Sequence, residues 1–593
     1  MERTSCLSNE EKLTSLNEVM ERIMRQTMEA FLFEGIVDVS GKGRERFFAG
    51  KTAEGATVRY SCEADDKESF GRVKLVKHSI RREGEPCVDL YRFLEEVVGN
   101  SLDGAHVAQF ISELLETMAK DHQFKTIQQE RVPEEDRHYE ALESHMADGH
   151  PYHPSYKSRI GFSLADNYAY GPEFNQEVSL QWVAVHERLA DVTVSDDASD
   201  DEIYLNHLTN EDRRTFNEIL IKNGRDAKNY VFIPVHPWQA EHRIPSLFVQ
   251  QLADKDIVML DGTQVPYRAQ QSIRTLSRRD NEDATYIKLA LSITNTSTSR
   301  ILAHHTTQNA PKISDWLQKI IRNDALLTRM RFQVLREVMG VSFRYAELSP
   351  IAYGSAYGTL GAIYRENVST YLEPQETAWP LNAVSLVQKN GESFIQAAIE
   401  RHGIEKWSDA LIRTVTLPII HLLYGHGIAL ESHAQNIILV LEDELPTRII
   451  VKDLHDSVRY VRGKLLHPEW APALHPEPET HRKFNRYSFL QTESVSEVRD
   501  YTYDAFFFIC MTEICLTLEK FGLSESAFWR KCVETINDYQ KGYPEYKERF
   551  EMFDLFSEDG LIEEMTKRRI YGDGELYFRK AQNPLRRAMG VLG

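Results

Sequence analysis

The stretch from Gly427 to Tyr460, GIALESHAQNIILVLEDELPTRIIVKDLHDSVRY, gathers residues able to hold a metal ion and phosphate. Residues 437–441 and 448–451 are β-rich runs separated by a polar turn carrying Pro446, and the spacing predicts an antiparallel hairpin. If Ile437 faces Lys452, then Asn436 and Asp453 stand side by side at the hairpin mouth, although 17 positions separate them. Just upstream Glu431, His433 and Gln435 alternate, so an extended segment points all three to one face. Glu431, Asp453 and the amide oxygen of Asn436 form a hard oxygen set of the kind Mg²⁺ uses when water and phosphate complete its shell. Protein kinases hold their metal in a related way, with a loop Asn and a later Asp. A polar hairpin base held by ordinary hydrogen bonds has the same composition.

A second cluster runs from Arg268 to Arg300. The alternation of Ile287, Leu289, Leu291 and Ile293 with Lys288, Ala290, Ser292 and Thr294 predicts one strand over 285–294, with Lys288 on its polar face as a rigidly based phosphate contact. Ser272, Arg274 and Thr275 precede it, and Asn295-Thr296-Ser297-Thr298-Ser299-Arg300 follows, a set of neutral donors and guanidinium forks suited to phosphate or carboxylate. A Ser/Thr-rich turn with surface arginines reads the same way. The third cluster, GHPYHPSYKSRIGFS from Gly149, offers His150, His153, Lys157 and Arg159 on a Pro-stiffened loop without an acid. His236-Pro237-Trp238-Gln239 repeats the device after an apolar strand, where sheets often carry ligands.

The elements that must position these clusters belong to an ordinary globular chain. Its 593 residues allow about three to five structural units. With 42% hydrophobic and 27% charged residues, disorder and fibrous classes fall away. A formal charge of −20 argues against a nucleic-acid or anionic-membrane partner, yet Arg268 to Arg300 holds six basic residues against three acids. The N-terminus has no secretory pattern, no apolar run approaches the roughly 18 residues that cross a bilayer, and six scattered cysteines suit reduced core thiols, so a cytoplasmic location is expected. Residues 1–145 read as a mixed scaffold opened by a capping box at Ser8. Residues 146–310 carry short strands (178–185, 230–235, 285–294) and an acidic stretch, 196–202, expected to be a solvated loop. Residues 311–465 place helices around the hairpin, and 466–593 read as helical beyond a Pro-rich connector. There is no Walker A loop, no GxGxxG, no GxSxG and no HExxH, which removes the usual nucleotide-binding, hydrolase and zinc-protease readings.

GHPYHPSYKSRIGFS, the later YGPEF, HPWQ, SIRT, KLALSITNTSTSR and ESHAQN with its following KD resemble, in order and over most of the chain, the motifs of the NRPS-independent siderophore synthetases. The resemblance implies an α+β, hand-like fold of fingers, palm and thumb, with a kinase-like palm and a mostly helical C-terminal region, commonly a homodimer. It implies that a carboxylate of citrate or a related acid is adenylated by ATP with Mg²⁺, releasing pyrophosphate, and that an amine or hydroxyl then takes the acyl group. By motif, Ser272, Arg274, Thr275, Lys288 and Gln435 serve ATP, with His153 nearby. Glu431, Asn436 and Asp453 hold Mg²⁺, and Thr296, Arg300, His433 and Gln435 position the acid and acyl-adenylate. Lys288, Arg300 and His433 are the catalytic candidates, and Lys567 stands for the family's thumb lysine. Lys452 occupies a position where many members carry Arg. The competing readings are a kinase-like phosphotransferase, which forms ADP, and a non-catalytic binder of iron or siderophore, which consumes no ATP.

Overall fold

The computed structural model describes residues 9–127, 137–146, 148–260, 262–296, 298–388, 390–485, 488–572 and 577–592. Ser8, Cys6 and Ser297 lie outside them. The chain is 47% helix and 21% strand, and among the described residues every sheet pairing but one, Gln333–Val334 with Leu445–Val451, is antiparallel. This is an α+β protein, as expected.

The N-terminal part packs the helix Asn9–Glu34 and the helix Val107–Thr126 against the hairpin Glu45–Lys51 and Thr57–Asp66. Alternate residues of the second strand are buried, and Val58 and Tyr60 join Ile23, Phe31 and Phe110 in one core.

The middle of the chain builds a seven-stranded sheet in the order Val178–Ser179, Pro266–Ala269, Thr275–Arg278, Tyr286–Leu289, Gly361–Arg365, Glu337–Phe343, Ala190–Val194. The single strand expected over 285–294 is two. Tyr286–Leu289 stays in the sheet, and Leu291–Asn295 leaves it to pair with Thr298–Arg300. The expected strand 178–185 also divides, and Gln181–His186 joins Tyr230–Val235 and Ile257–Leu260 in a separate three-stranded sheet. Glu337–Phe343 is buried at every position beneath the helix His304–Asn323. Gly340 allows that approach, because a Cβ there would stand 1.9 Å from the Thr307 carbonyl oxygen. The acidic stretch is only partly a loop: Asp197 pairs with Arg336 at 2.7 Å, and Asp200–Leu205 is a short helix.

The hairpin forms from Ile437–Glu442 and Leu445–Val451, but one residue out of the expected register: Ile437 faces Val451. Asn436 therefore meets Lys452, whose N–H donates to the Asn436 carbonyl at 2.9 Å. The turn is Asp443-Glu444, both at positive φ (49° and 61°), the conformation of a two-residue type I′ hairpin, and Pro446 lies in the second strand.

In the C-terminal part, residues 495–521 form one helical segment, π-helical over Tyr503–Met511. It has the length and mean hydropathy (1.2) to cross a membrane, contrary to expectation, but 72% of its apolar window is buried in the core, where Phe506, Phe507, Phe508 and Met511 are fully enclosed. The region also carries an antiparallel strand pair, Asp559–Glu563 with Phe578–Gln582, around the helix Met565–Tyr571, which its helical pattern hides.

Candidate active site

One cavity of about 1130 Å³ lies where the seven-stranded sheet, the hairpin mouth and the helical segment 495–521 meet. Ser272, Arg274, Lys288, Thr296 and Arg300 line it from the sheet side. Glu431, His433, Gln435, Asn436 and Asp453 line it from the hairpin mouth.

Lys288 sits on the strand Tyr286–Leu289 opposite Thr275, with its ammonium 3.3 Å from Asp453 Oδ1 and 3.3 Å from His455 Nε2. The His455 ring is held from behind by the buried Glu337 carboxylate, 2.6 Å from Nδ1. Burial pushes the Lys288 ammonium below its usual range, and Asp453 opposes that shift. Arg274 donates to the carbonyl oxygens of Arg300 and Ile301, both at 2.7 Å, and has no carboxylate partner among the described residues. Burial and the nearby Arg300 push its guanidinium down to about 10. Burial also lowers Arg300, against Glu431 and Asp453. Three cations are thus gathered on one wall of a low-dielectric cleft, and Lys288 meets Asp453 from the facing hairpin mouth.

Burial works to raise the Asp453 carboxyl, but Lys288, Arg365, Lys452 and His455 outweigh it and hold the group ionised, well below the usual carboxylate range. Its Oδ1 takes Lys288 and the buried Arg365, and Arg365 also donates to Gln270 at 2.9 Å. Glu431 Oε2 accepts from the Ser457 hydroxyl at 3.0 Å, and Asn436 Nδ2 donates to the Glu431 carbonyl at 3.1 Å. Among the described residues, Asp453 Oδ2, Glu431 Oε1 and Asn436 Oδ1 accept no hydrogen bond. An all-oxygen set of two carboxylates and one amide fits Mg²⁺. His433 is kept neutral at pH 7, its imidazole lowered by burial against Glu431 and Asp453.

Backbone strain clusters here. Ile273 (φ 71°), Thr296 (φ 61°) and Asp453 (φ 62°) are all left-handed, which is costly for β-branched residues and typical of functional loops. The convergence of Glu431, His433 and Gln435 likewise comes from a turn, closed by Asn436 N–H on the His433 carbonyl at 2.9 Å, and not from the pleat of an extended segment.

Three sequence candidates stand elsewhere. His153 is fully buried, bonded to the Ser155 hydroxyl at 3.0 Å, and His150 of the same loop lines the cavity in its place. Thr275 is buried and braces Ser272, whose hydroxyl donates to it at 2.8 Å. Lys567 pairs with Glu564 at 3.0 Å and with the Glu34 carbonyl at 3.1 Å, and the next residue, Arg568, lines the cavity. The cations of the His-Pro loop do meet acids, supplied from a distance: Lys157 reaches Asp121 at 2.7 Å and Arg159 reaches Glu173 at 2.8 Å. His236 caps the helix Pro237–His242, and Gln239 bonds Ser292 at both main chain and side chain. Lys452 turns away to Glu143 and Tyr139.

Sequence reasoning missed Arg365, Glu337 and His455. An Arg closing the apolar strand Gly361–Arg365 and a Glu opening a wholly buried one were the available signals. It also missed the acidic side of the cavity, where Asp456, Glu497 and Asp504 have no Lys or Arg ion-pair partner among the described residues. Asp504 accepts only the Glu563 N–H, at 3.4 Å. Burial, with Glu563 and Glu431 adding repulsion, raises its carboxyl well above the usual range.

Residues 138–386 match the family model described as IucA / IucC family, and residues 405–576 match that of the ferric iron reductase FhuF-like transporter. The chain is 37% identical over 578 residues to the 2-[(L-alanin-3-ylcarbamoyl)methyl]-3-(2-aminoethylcarbamoyl)-2-hydroxypropanoate synthase of Staphylococcus aureus (strain NCTC 8325 / PS 47), spanning 96% of this chain and 93% of that protein. It is 34% identical over 579 residues to the citryl-spermidine/3,4-dihydroxybenzoyl-citryl-spermidine:spermidine ligase of Bacillus anthracis, spanning 96% and 94%. The crystal structure of the petrobactin biosynthesis protein AsbB from Bacillus anthracis str. Sterne aligns at a TM-score of 0.89 and 34% identity, covering 98% of this chain and 97% of that one. Matched at this identity along nearly its whole length, the chain belongs to the IucA / IucC family of siderophore synthetases.

Proposed function

We propose that the protein is an ATP-dependent, AMP-forming ligase that joins a citrate-type carboxylate to an amine in siderophore biosynthesis. The observation that carries this reading is the sharing of one cavity by three cations, Arg274, Lys288 and Arg300, and the oxygens of Glu431, Asn436 and Asp453. Ser272, Arg274, Lys288 and Gln435 hold the ATP phosphates, with His150 the cavity-facing member of its loop. Thr296, Arg300, His433 and Gln435 hold the carboxylate, and Arg568 takes the place foreseen for Lys567. The open oxygens of Glu431, Asn436 and Asp453 would hold Mg²⁺, whose chemistry there is charge neutralisation on phosphate oxygens.

In the first step a carboxylate oxygen attacks the α-phosphorus and pyrophosphate departs, with Lys288 and Arg274 stabilising the charge that develops on it. In the second, the amine nitrogen attacks the acyl carbon, the C–O bond to AMP breaks, and the proton shed by the nitrogen goes to the neutral His433 imidazole. Asp456, Glu497 and Asp504 suit a nucleophile that carries a further ammonium group, and the Bacillus anthracis relative is named as a spermidine ligase. A hand-like arrangement with a kinase-like palm, a homodimer and a cytoplasmic location follow from the family resemblance and belong to the same proposal.

The deciding experiment incubates the protein with ATP, Mg²⁺, citrate or citrate monoamides, and a panel of diamines, polyamines and amino alcohols. Pyrophosphate and AMP with an amide product are expected. ADP with a phosphorylated product would establish the kinase-like alternative, and tight binding of ferric citrate without ATP consumption the non-catalytic one.

A further inference from the structure

Away from the cavity, Asp324, His421 and His426 bring three donor atoms within 4.8 Å of one another. Asp324 Oδ2 lies 3.0 Å from His421 Nε2 and 3.0 Å from His426 Nε2. Each donor is set by a separate feature of the chain. Asp324 caps the helix Ala325–Arg329, and its Oδ1 takes the N–H groups of Leu326 and Leu327 at 2.8 Å, which turns Oδ2 toward the imidazoles. His421 ends the helix Ile404–His421, and His426 ends the π-helical turn Leu422–His426, whose wider pitch brings residues five apart onto one side.

The surroundings are those of a metal ligand sphere. His421 Nδ1 lies 2.7 Å from the Tyr539 hydroxyl, an outer partner that can take the Nδ1 proton and leave the Nε2 lone pair facing Asp324. The rings of Tyr539, Tyr543 and Tyr546 stand 5.7, 6.1 and 6.2 Å from that of His421 and wall the cluster on that side. Both imidazoles are buried, while the Asp324 side chain keeps 13% of its surface exposed, which leaves an ion a way in. Tetrahedral zinc with bonds of about 2.0–2.1 Å needs ligand atoms about 3.3 Å apart, within a few tenths of an ångström of the two Asp–His separations, and the two imidazole nitrogens lie no more than 4.8 Å apart. Two nitrogens and one carboxylate oxygen also leave a fourth position for water.

We propose that Asp324, His421 and His426 bind a divalent transition metal, zinc fitting best. The ion ties the end of Ile404–His421 to the cap of Ala325–Arg329, directly before the strand Ile428–Leu430 that leads to Glu431.

The test strips the full-length protein with a chelator and titrates zinc by calorimetry in saturating Mg²⁺, with metal content measured after gel filtration. One zinc per chain is expected, with a higher unfolding temperature. Asp324→Asn, which keeps the cap, and His426→Gln should each weaken zinc about tenfold or more, whereas Asp453→Asn should keep it. Cobalt(II) in the wild-type protein should give the visible absorption of a four-coordinate site, a readout independent of whether any variant folds. No stoichiometric zinc in the wild type, wild-type affinity in both Asp324→Asn and His426→Gln, or loss of zinc in Asp453→Asn would each overturn the proposal. The first two outcomes would leave a hydrogen-bonded His-Asp-His contact, and the third would move zinc to the oxygen site.

Discussion

On the sheet side, residues 271–306 contribute three cations and no carboxylate to the cavity lining, whereas on the helical side residues 496–520 contribute five carboxylates and one lysine. The sheet side fixes its charges from the backbone. Lys288 projects from a strand bonded on both edges, and Arg274 is tied to two main-chain carbonyls, so little motion is needed to meet an anion. Part of the helical side's charge is cancelled, through Glu519 with Lys67 at 2.9 Å, Asp500 with Arg499 at 2.8 Å and Glu513 with Arg72, and Glu497 and Asp504 have no Lys or Arg partner among the described residues. Under the proposed function, the first side stabilises developing negative charge and the second selects a positively charged nucleophile.

Substitutions on the sheet side test this contrast most severely. Lys288→Ala or Arg300→Ala should lower turnover by about 100-fold or more, the usual loss when one preorganised charge donor is removed, in a pyrophosphate-release assay with hydroxylamine trapping of the acyl-adenylate. Near-normal turnover in both would end the assignment of that side.

On the helical side, Asp504→Asn should raise the KM for a diamine or polyamine roughly tenfold, about 1.4 kcal/mol, while adenylation of the acid without amine stays unchanged. An equal loss in both half-reactions would erase the distinction between the two sides.

A third contrast separates the regions by pH. His207 and His236, both buried beside the sheet, are pushed down to about 3, chiefly by burial. Because their folded pKa lies below the unfolded value, the unfolded chain takes the proton first. Stability therefore falls as pH drops below about 6.5, by about 2 kcal/mol per histidine at pH 5. Burial raises the carboxyls of Asp500 and Asp504 on the helical side, which has the opposite sign. Hydrogen exchange at pH 5 should show the sheet opening before the helical segment 495–521, and the reverse order would contradict these shifts.

The sequence by itself determined which residue types gather around the cavity. Strand alternation, the hairpin and the ordered motifs located Lys288, Arg300, Glu431, His433, Asn436 and Asp453 because each depends on residue type and short-range spacing, which are local properties. Tertiary structure alone decided the register, since a two-residue turn at Asp443-Glu444 with two positive φ values, followed by a bulge at Thr447, sets Ile437 against Val451 and Asn436 against Lys452. It also decided that the strand breaks at Ala290, whose N–H is taken by the Gly361 carbonyl of a neighbouring strand at 3.1 Å. His153 and Lys567 turn to local partners while His150 and Arg568 face the cavity, and no periodicity encodes which neighbour wins. The acidic side, drawn from a helix that reads as plain core, and the Glu337–His455–Lys288 chain join residues more than 100 positions apart. Such contacts exist only once packing has settled which buried charges must be satisfied together.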